Sequence, residues 1–338
     1  MNKQQNKRAT YFFMGITAAI FIAAVVSVCI GKYSIALSEL LQLIVGDSTV
    51  PQMTQKVFYT LRIPRTVMAI LTGFSLGFAG SVYQTIFKNP LASPDIIGVA
   101  GGANLGAAAM IVSFSSVAMT NIAIGSFLGA FTAVLSVMAL VKLTKSHSTA
   151  TYILSGIVIN AISKTLIMIL KYFADPENEL ATMEYWEMGT LGNITATKVL
   201  SILPFFLVGF LGLILFRRQI ELMELSDYEC QALGVRIKPI RTTILLLSTL
   251  LVSSVISVTG LISFVGLIAP HIARLMLKRN NTVTLFLSSL VGAFVVLFAD
   301  ILARTLYSAE LPISILTTLI GVPMLIYFMC KKGKGRVF

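Results

Sequence analysis

Arg62 and Arg65 stand three residues apart in the stretch Leu61-Arg62-Ile63-Pro64-Arg65. Pro64 suits a first helical turn, where its missing N–H costs nothing, and the spacing puts both guanidiniums on one helix face. Such a pair can hold carboxylates through charge-assisted, two-point hydrogen bonds. Arg304 adds a third arginine, four residues after Asp300, a spacing at which the two can pair. The three arginines read either as side chains snorkelling to lipid headgroups or as a cationic rim that receives an acidic partner or an anionic ligand. A second constellation is Asn160 and Lys164, one helical turn apart inside an apolar run. An ionisable residue in such a run marks a cavity or a partner by default. A third is Ser226 with Glu229, the spacing of a capping box in which hydroxyl and carboxylate each satisfy an orphan backbone N–H. Gly234 then falls where a short helix needs a left-handed residue after its end. Between them lie Asp227, Tyr228, Cys230, Ala232 and Leu233, flanked by apolar Leu222, Met223, Leu225 and Val235. A capped helix of this kind is either a docking knob or a helix lying on the headgroups, and the pattern leaves both open.

Other chemistry has no residues to carry it. No glycine-rich stretch ends in Gly-Lys-Ser/Thr, so no phosphate-binding loop is expected. Cys29, Cys230 and Cys330 are far apart and fit no metal-ligand spacing. With His147 and His271 the only histidines, neither a metal site nor a cofactor of the chain's own is expected, and no residue is read as catalytic. The segment Lys88-Asn89-Pro90-Leu91-Ala92-Ser93-Pro94-Asp95 holds two prolines four apart, which forbid a continuous helix. It reads as a gate at the mouth of a passage or as a plain connector.

The elements that must position these residues follow from composition. The 338 residues are 56% hydrophobic and 12% charged, about half the charge of an ordinary soluble domain. Apolar runs of helix-spanning length recur, so the solvent is a bilayer with a core of ~30 Å. The fold class is an all-α polytopic membrane protein of one domain covering 1–338. Ten candidate spans fall near 11–30, 62–83, 97–114, 118–141, 151–173, 198–216, 240–258, 260–277, 283–303 and 312–330. Ten spans put both termini on one side. With that side cytoplasmic, Lys32, Lys56, Arg62, Arg65, Lys171, Lys198 and Arg304 lie outside, and Lys164 lies within a span. Every other Lys and Arg, from Lys3 to Lys334 and Arg336, lies inside, as the positive-inside rule requires. The longest cytoplasmic loop is then 217–239. The glycines at 73, 77 and 80, at 98, 101, 102 and 106, and at 125 and 129 read as sites of close helix packing.

The net charge of +12 is spread in short clusters between apolar runs. That favours anionic lipid headgroups over a nucleic-acid partner, which would need one basic soluble face. The first apolar run, Tyr11 to Ile30, is too long for a signal-peptide core and is expected to remain as the first span. A transporter coupled to an ion gradient is the main rival class. It calls for a carboxylate near the midplane, and none of the fourteen acids falls there. A non-transporting scaffold would have no need of the turn at 88–95.

Four runs carry a resemblance: 61–106, 225–235, SVTGLISFVGLIAPHIARL at 257–275, and ADILARTLYSAELPISILTTLIGVPMLIY at 299–327. In this order they resemble the FecCD/BtuC family, the permeases of importers for ferric siderophores, haem and cobalamin. The resemblance implies a BtuC-like type II ABC importer permease in the cell membrane. Its partners would be a second permease subunit, either another copy or a paralogue, two cytoplasmic ATPase subunits and an extracellular substrate-binding lipoprotein. It implies that Arg62, Arg65 and Arg304 receive acidic residues of that binding protein. Ser226, Asp227, Glu229, Ala232, Leu233 and Gly234 would form the helix that seats in the ATPase. Asn89 and Leu91 match an inner-gate turn, and Ser148 and Thr149 match a second gate only roughly, because Ala150 departs from the pattern. The implied mechanism is alternating access, with a ferric siderophore as the expected cargo and cobalamin or haem as alternatives.

Overall fold

A computed structural model of the chain describes residues 3–46, 49–114, 118–146, 148–307 and 309–332. His147, Lys334 and Arg336 lie outside the described residues.

The described residues form helices and turns, in the order α1 (Lys3–Cys29), α2 (Leu37–Val45), α3 (Gln52–Val57), α4 (Ile63–Ile86), α5 (Val99–Ser113), α6 (Met119–Leu143) and α7 (Thr149–Phe173). There follow α8 (Ala181–Glu187), α9 (Ala196–Leu215), α10 (Arg217–Leu222), α11 (Asp227–Ala232), α12 (Ile237–Thr259), α13 (Val265–Leu277), α14 (Thr282–Thr305) and α15 (Ile313–Lys332). Each of the ten apolar windows coincides with one helix. Among the described residues seven helical segments are long and apolar enough to cross a membrane, and α5 and α13 are shorter apolar helices. A π-helical turn over Phe58–Arg62 joins α3 to α4, so the helical run begins about ten residues before the window at 62. The helices α2 and α3 were not legible as spans because they are far too short to cross ~30 Å.

The buried helices are α4, α12 and α14, while α1, α7 and α9 lie at the periphery. Small residues set this arrangement. A Cβ at Gly73 would collide with the Gly292 carbonyl, and one at Gly77 with the Ser288 carbonyl, so α4 and α14 touch backbone to backbone. Gly80 meets Gly266 of α13 in the same way, and Gly102 and Gly106 of α5 meet Gly129 and Gly125 of α6. In hydrocarbon, where lipid tails are as apolar as side chains, close contact of this sort replaces the hydrophobic drive between helices. Buried hydroxyls bond back to their own helices: Ser75 Oγ donates to the Leu71 carbonyl at 2.8 Å and Ser288 Oγ to that of Thr284 at 2.7 Å.

The turn after α4 is broken as its prolines require. Lys88 takes a left-handed φ of 47°, and Asn89 Oδ1 accepts the Leu91 N–H at 2.9 Å. A single 3-10 turn, Pro94–Ile97, then leads into α5.

Candidate functional site

The polar constellations gather at opposite ends of the bundle. At one end, the first turn of α4, the last turn of α14 and the end of α1 meet. Arg65 Nε donates to Asp300 Oδ1 at 2.9 Å, and Arg65 Nη1 reaches both carboxylate oxygens of Glu310 at 3.1 and 2.9 Å. Arg304 pairs with Asp300 at 3.1 Å, the i,i+4 pairing its spacing allowed, and also donates to Ser27 Oγ at 2.8 Å. Arg62 donates to the carbonyls of Ile30 and Tyr33 at 2.7 and 2.8 Å. Its guanidinium occupies the space where a Cβ of Gly31 would sit.

The arginines expected to form a cationic rim are thus already partnered within the chain. All three arginines are buried, with 7–8% of their surfaces exposed, and Asp300 is fully enclosed. The physical reason is that a buried charge is costly unless it meets an opposite charge or hydrogen bonds: Arg65 and Arg304 meet Asp300, and Arg62 meets two carbonyls. The partners that do this, Ser27, Ile30 and Glu310, belong to other segments and gave no local signal. Glu310 differs from Asp300: its side chain keeps 35% of its surface exposed.

At the other end, the loop 217–239 holds two short helices where one was expected. The additional one, α10, is set by Ile220, which is wholly buried, and by Glu221, which accepts from Thr282 Oγ1 at 3.0 Å. The capping box of α11 is present: Glu229 N–H donates to Ser226 Oγ at 3.2 Å, and Ser226 N–H to Glu229 Oε2 at 2.7 Å. These hydrogen bonds with Ser226 hold the Glu229 carboxyl below the usual carboxylate range. Gly234 is left-handed, with φ 77°, as the end of such a helix requires. Cys230 points inward and is buried, whereas Tyr228 and Leu233 are exposed at 82% and 61%. Ala232 and Gly234 are exposed beside them. The capped helix therefore presents two apolar tips outward, on a backbone held at both ends.

Asp227 ties this knob to the bundle. Its Oδ1 lies 2.9 Å from Arg241 Nη2 of α12 and 3.5 Å from Lys88 Nζ of the turn after α4. Arg241 is itself buried, and its guanidinium lies 5.9 Å from the ring centre of Tyr152 in the first turns of α7. The Tyr152 ring is in turn 6.0 Å from that of Phe87. The turn bearing Asn89 and Leu91 and the start of α7 bearing Ser148 and Thr149 are therefore neighbours, both joined to α11 through Arg241. Ser148 caps α7, accepting the Thr151 N–H at 3.2 Å, and Leu91 is half exposed. In the sequence Arg241 reads only as one of the basic residues on the cytoplasmic side, at the start of the window 240–258. The available signal was its position, set into the apolar run behind Arg236 and Lys238.

Asn160 and Lys164 stand apart from both ends, on α7. Asn160 Nδ2 donates to the Asp95 carbonyl at 2.8 Å, fastening α7 to the 3-10 turn. Lys164 is exposed. A lysine facing hydrocarbon there would cost about 2.5–3.5 kcal/mol on insertion scales. Among the described residues no group of three or more His, Cys, Asp or Glu side chains could hold a metal ion.

A bundle of helices long and apolar enough to cross a membrane, with an irregular turn and a capped short helix together at one end, fits the membrane subunit of a transport system. The chain belongs to the FecCD transport family, whose model matches residues 19–331. It is an ABC importer permease of that family. It is 33% identical over 325 residues to the molybdate import permease MolB of Haemophilus influenzae, covering 95% of this chain and 96% of that one. It is also 33% identical over 273 residues to a Helicobacter pylori permease named for iron chelatin transport, covering 81% and 82% of the two chains. A solved structure described as an inward-facing metal-chelate type ABC transporter superposes with a TM-score of 0.85, at 33% identity, over 95% of this chain and 99% of that one.

Proposed function

We propose that this chain forms the passage of an importer that carries a ferric siderophore across the cell membrane by alternating access. The likeness to a metal-chelate transporter over nearly the whole chain is the observation that carries this reading. Two copies, or this chain and a paralogue, enclose the passage. Two cytoplasmic ATPases receive the knob formed by Ser226, Asp227, Glu229, Ala232, Leu233 and Gly234. Both termini and the knob are cytoplasmic. ATP-driven closure of the ATPases moves α11, and Asp227, Lys88 and Arg241 pass that motion to the turn at Asn89 and Leu91 and to the start of α7 at Ser148 and Thr149.

An extracellular binding protein docks at the opposite end, over Arg62, Arg65 and Arg304. The buried arginine cluster carries more positive than negative charge, three guanidiniums against Asp300 and Glu310, which favours an acidic partner. Glu310, the exposed member, is the one an incoming carboxylate would replace.

A small oxyanion is the second reading, favoured by the full-length similarity to a molybdate permease. Uptake by cells lacking this chain decides between them, with radio-iron offered on several siderophores beside labelled molybdate, cobalamin and haem. Loss of one ferric siderophore, restored by the intact chain, supports the proposal. Loss of molybdate uptake alone would replace it, and undiminished uptake of every cargo would overturn it.

A further inference from the structure

Glu310 belongs to the connector between α14 and α15, and its carboxylate has two neighbours of different kind. One is Arg65 Nη1, which reaches its two oxygens at 3.1 and 2.9 Å. The other is Gly192, in the connector between α8 and α9. A Cβ on Gly192 would lie 3.0 Å from Glu310 Oε2, 3.4 Å from Thr190 Oγ1 and 3.9 Å from the Tyr185 hydroxyl. Gly192 has no left-handed φ, so its dihedrals do not call for glycine. Space does: the missing side chain leaves room for the Glu310 carboxylate.

This contact is tied to α8. The Tyr185 hydroxyl donates to Thr190 Oγ1 at 3.2 Å, and the Gly192 N–H donates to the same oxygen at 3.0 Å. The two connectors are also joined through their backbones. Ile313 N–H donates to the Gly189 carbonyl at 3.1 Å, and Ser314 N–H to that of Met188 at 3.4 Å. The residues just after Glu310 and those at the end of α8 therefore form one hydrogen-bonded unit. On its other side α8 is held by Lys171 of α7, which pairs with Glu184 at 2.6 Å and Glu187 at 3.1 Å.

The two acids on Arg65 are unlike. Asp300 is fully enclosed, whereas the Glu310 side chain keeps 35% of its surface exposed. A carboxylate arriving from outside meets the guanidinium on the Glu310 side. Glu310, deprived of its cation, then gains by turning to water, since a charge held half-buried without a partner is costly.

We propose that Glu310 is a latch between Arg65 and α8: an acidic group of a docking protein takes Arg65, Glu310 leaves Gly192, and α8 is freed from the α14–α15 connector. Glu310 is thus a positioning residue, through which occupation of Arg65 is felt at α8. This rests on the docking reading above and adds what docking does to the permease.

Trp186, the one tryptophan of the chain, lies in α8 and is 9% exposed. Its quenching by acrylamide, measured on the full chain in lipid vesicles, reports the packing of α8 without a label. Glu310→Gln removes the charge and is expected to raise the quenching constant about twofold, as a local opening does. Gly192→Ala pushes the carboxylate away from the other side and is expected to act alike, and the two together should add nothing further. The binding protein, with its own tryptophans replaced by phenylalanine, should bring the unaltered chain to the same level and leave Glu310→Gln where it stands. Quenching unchanged in both variants would overturn the latch. So would docking, followed by the anisotropy of a fluorescein on the binding protein, that leaves Trp186 unmoved. Variants that respond while the unaltered chain docks no binding protein at all would instead refute the docking reading, and the latch would fall with it.

Discussion

Arg65 Nε lies 2.9 Å from Asp300 Oδ1, joining the first turn of α4 to the last turns of α14 across 235 positions of sequence. Asp300 has no exposed surface and also holds Arg304 at 3.1 Å. Removing one member of a buried ion network strands the remaining charge, which costs about 3–5 kcal/mol. Asp300→Ala is therefore expected to lower the melting temperature in detergent markedly, and Glu310→Ala, whose carboxylate is part exposed, to change it little. Equal losses would contradict the assignment of Asp300 as the centre of the cluster.

In the proposed docking, Glu310 and an incoming carboxylate would compete for the Arg65 guanidinium. Glu310→Gln should then tighten docking of the binding protein on nanodisc-embedded permease, whereas Arg65→Glu should weaken it. Reversal at Arg62 and Arg304 together should likewise weaken docking while the ATPase stays bound. Titrations that return one affinity for all of these forms would remove the arginine cluster from the docking surface.

Gly234 has open space around it but a left-handed φ of 77°. A side chain there is strained, not crowded, by about 1–2 kcal/mol. Gly234→Val should release the ATPase or uncouple transport, and Gly234→Asn, which tolerates that conformation, should be mild. Co-purification of the ATPase with each variant, read beside uptake, checks this. Equal behaviour of Val and Asn would point away from the backbone.

Arg241 joins Asp227 of the knob to Tyr152 of α7. Arg241→Met keeps much of the stem volume and removes the charge. Its expected outcome is an ATPase that still binds but no longer drives uptake. Full uptake by this variant would exclude Arg241 from the coupling route.

The apolar helices were legible because a helix must be apolar over some twenty residues to cross a bilayer; a helix lies at each of the ten windows, and seven helical segments among the described residues are long and apolar enough to span. The capping box at Ser226 and Glu229 was legible because it is local: both partners sit within one turn. Burial of Arg62, Arg65 and Arg304 was not. It depends on Ser27, the Ile30 carbonyl and Glu310, brought together only by the packing of α1 against α4 and α14. Arg241 was hidden likewise, since its partners Asp227 and Tyr152 belong to other helices. Two of the ten windows, those of α5 and α13, also proved to be short helices, because broken turns at 88–98 and 260–264 consume residues that hydropathy alone assigns to a span.

Helix α4 starts at Ile63, beside the arginine cluster, and ends at Ile86, two residues before Lys88 faces Asp227. Its 24 residues span about 36 Å at 1.5 Å each. Gly73 and Gly77 lock its middle to α14 without intervening side chains. A close-packed seam of this kind has little give, so α4 is placed to carry a displacement from one of its ends to the other. Under the docking proposed above, news of a loaded binding protein on one face of the membrane would reach the ATPase side along a single stiff element, with no need for cargo to enter the passage first.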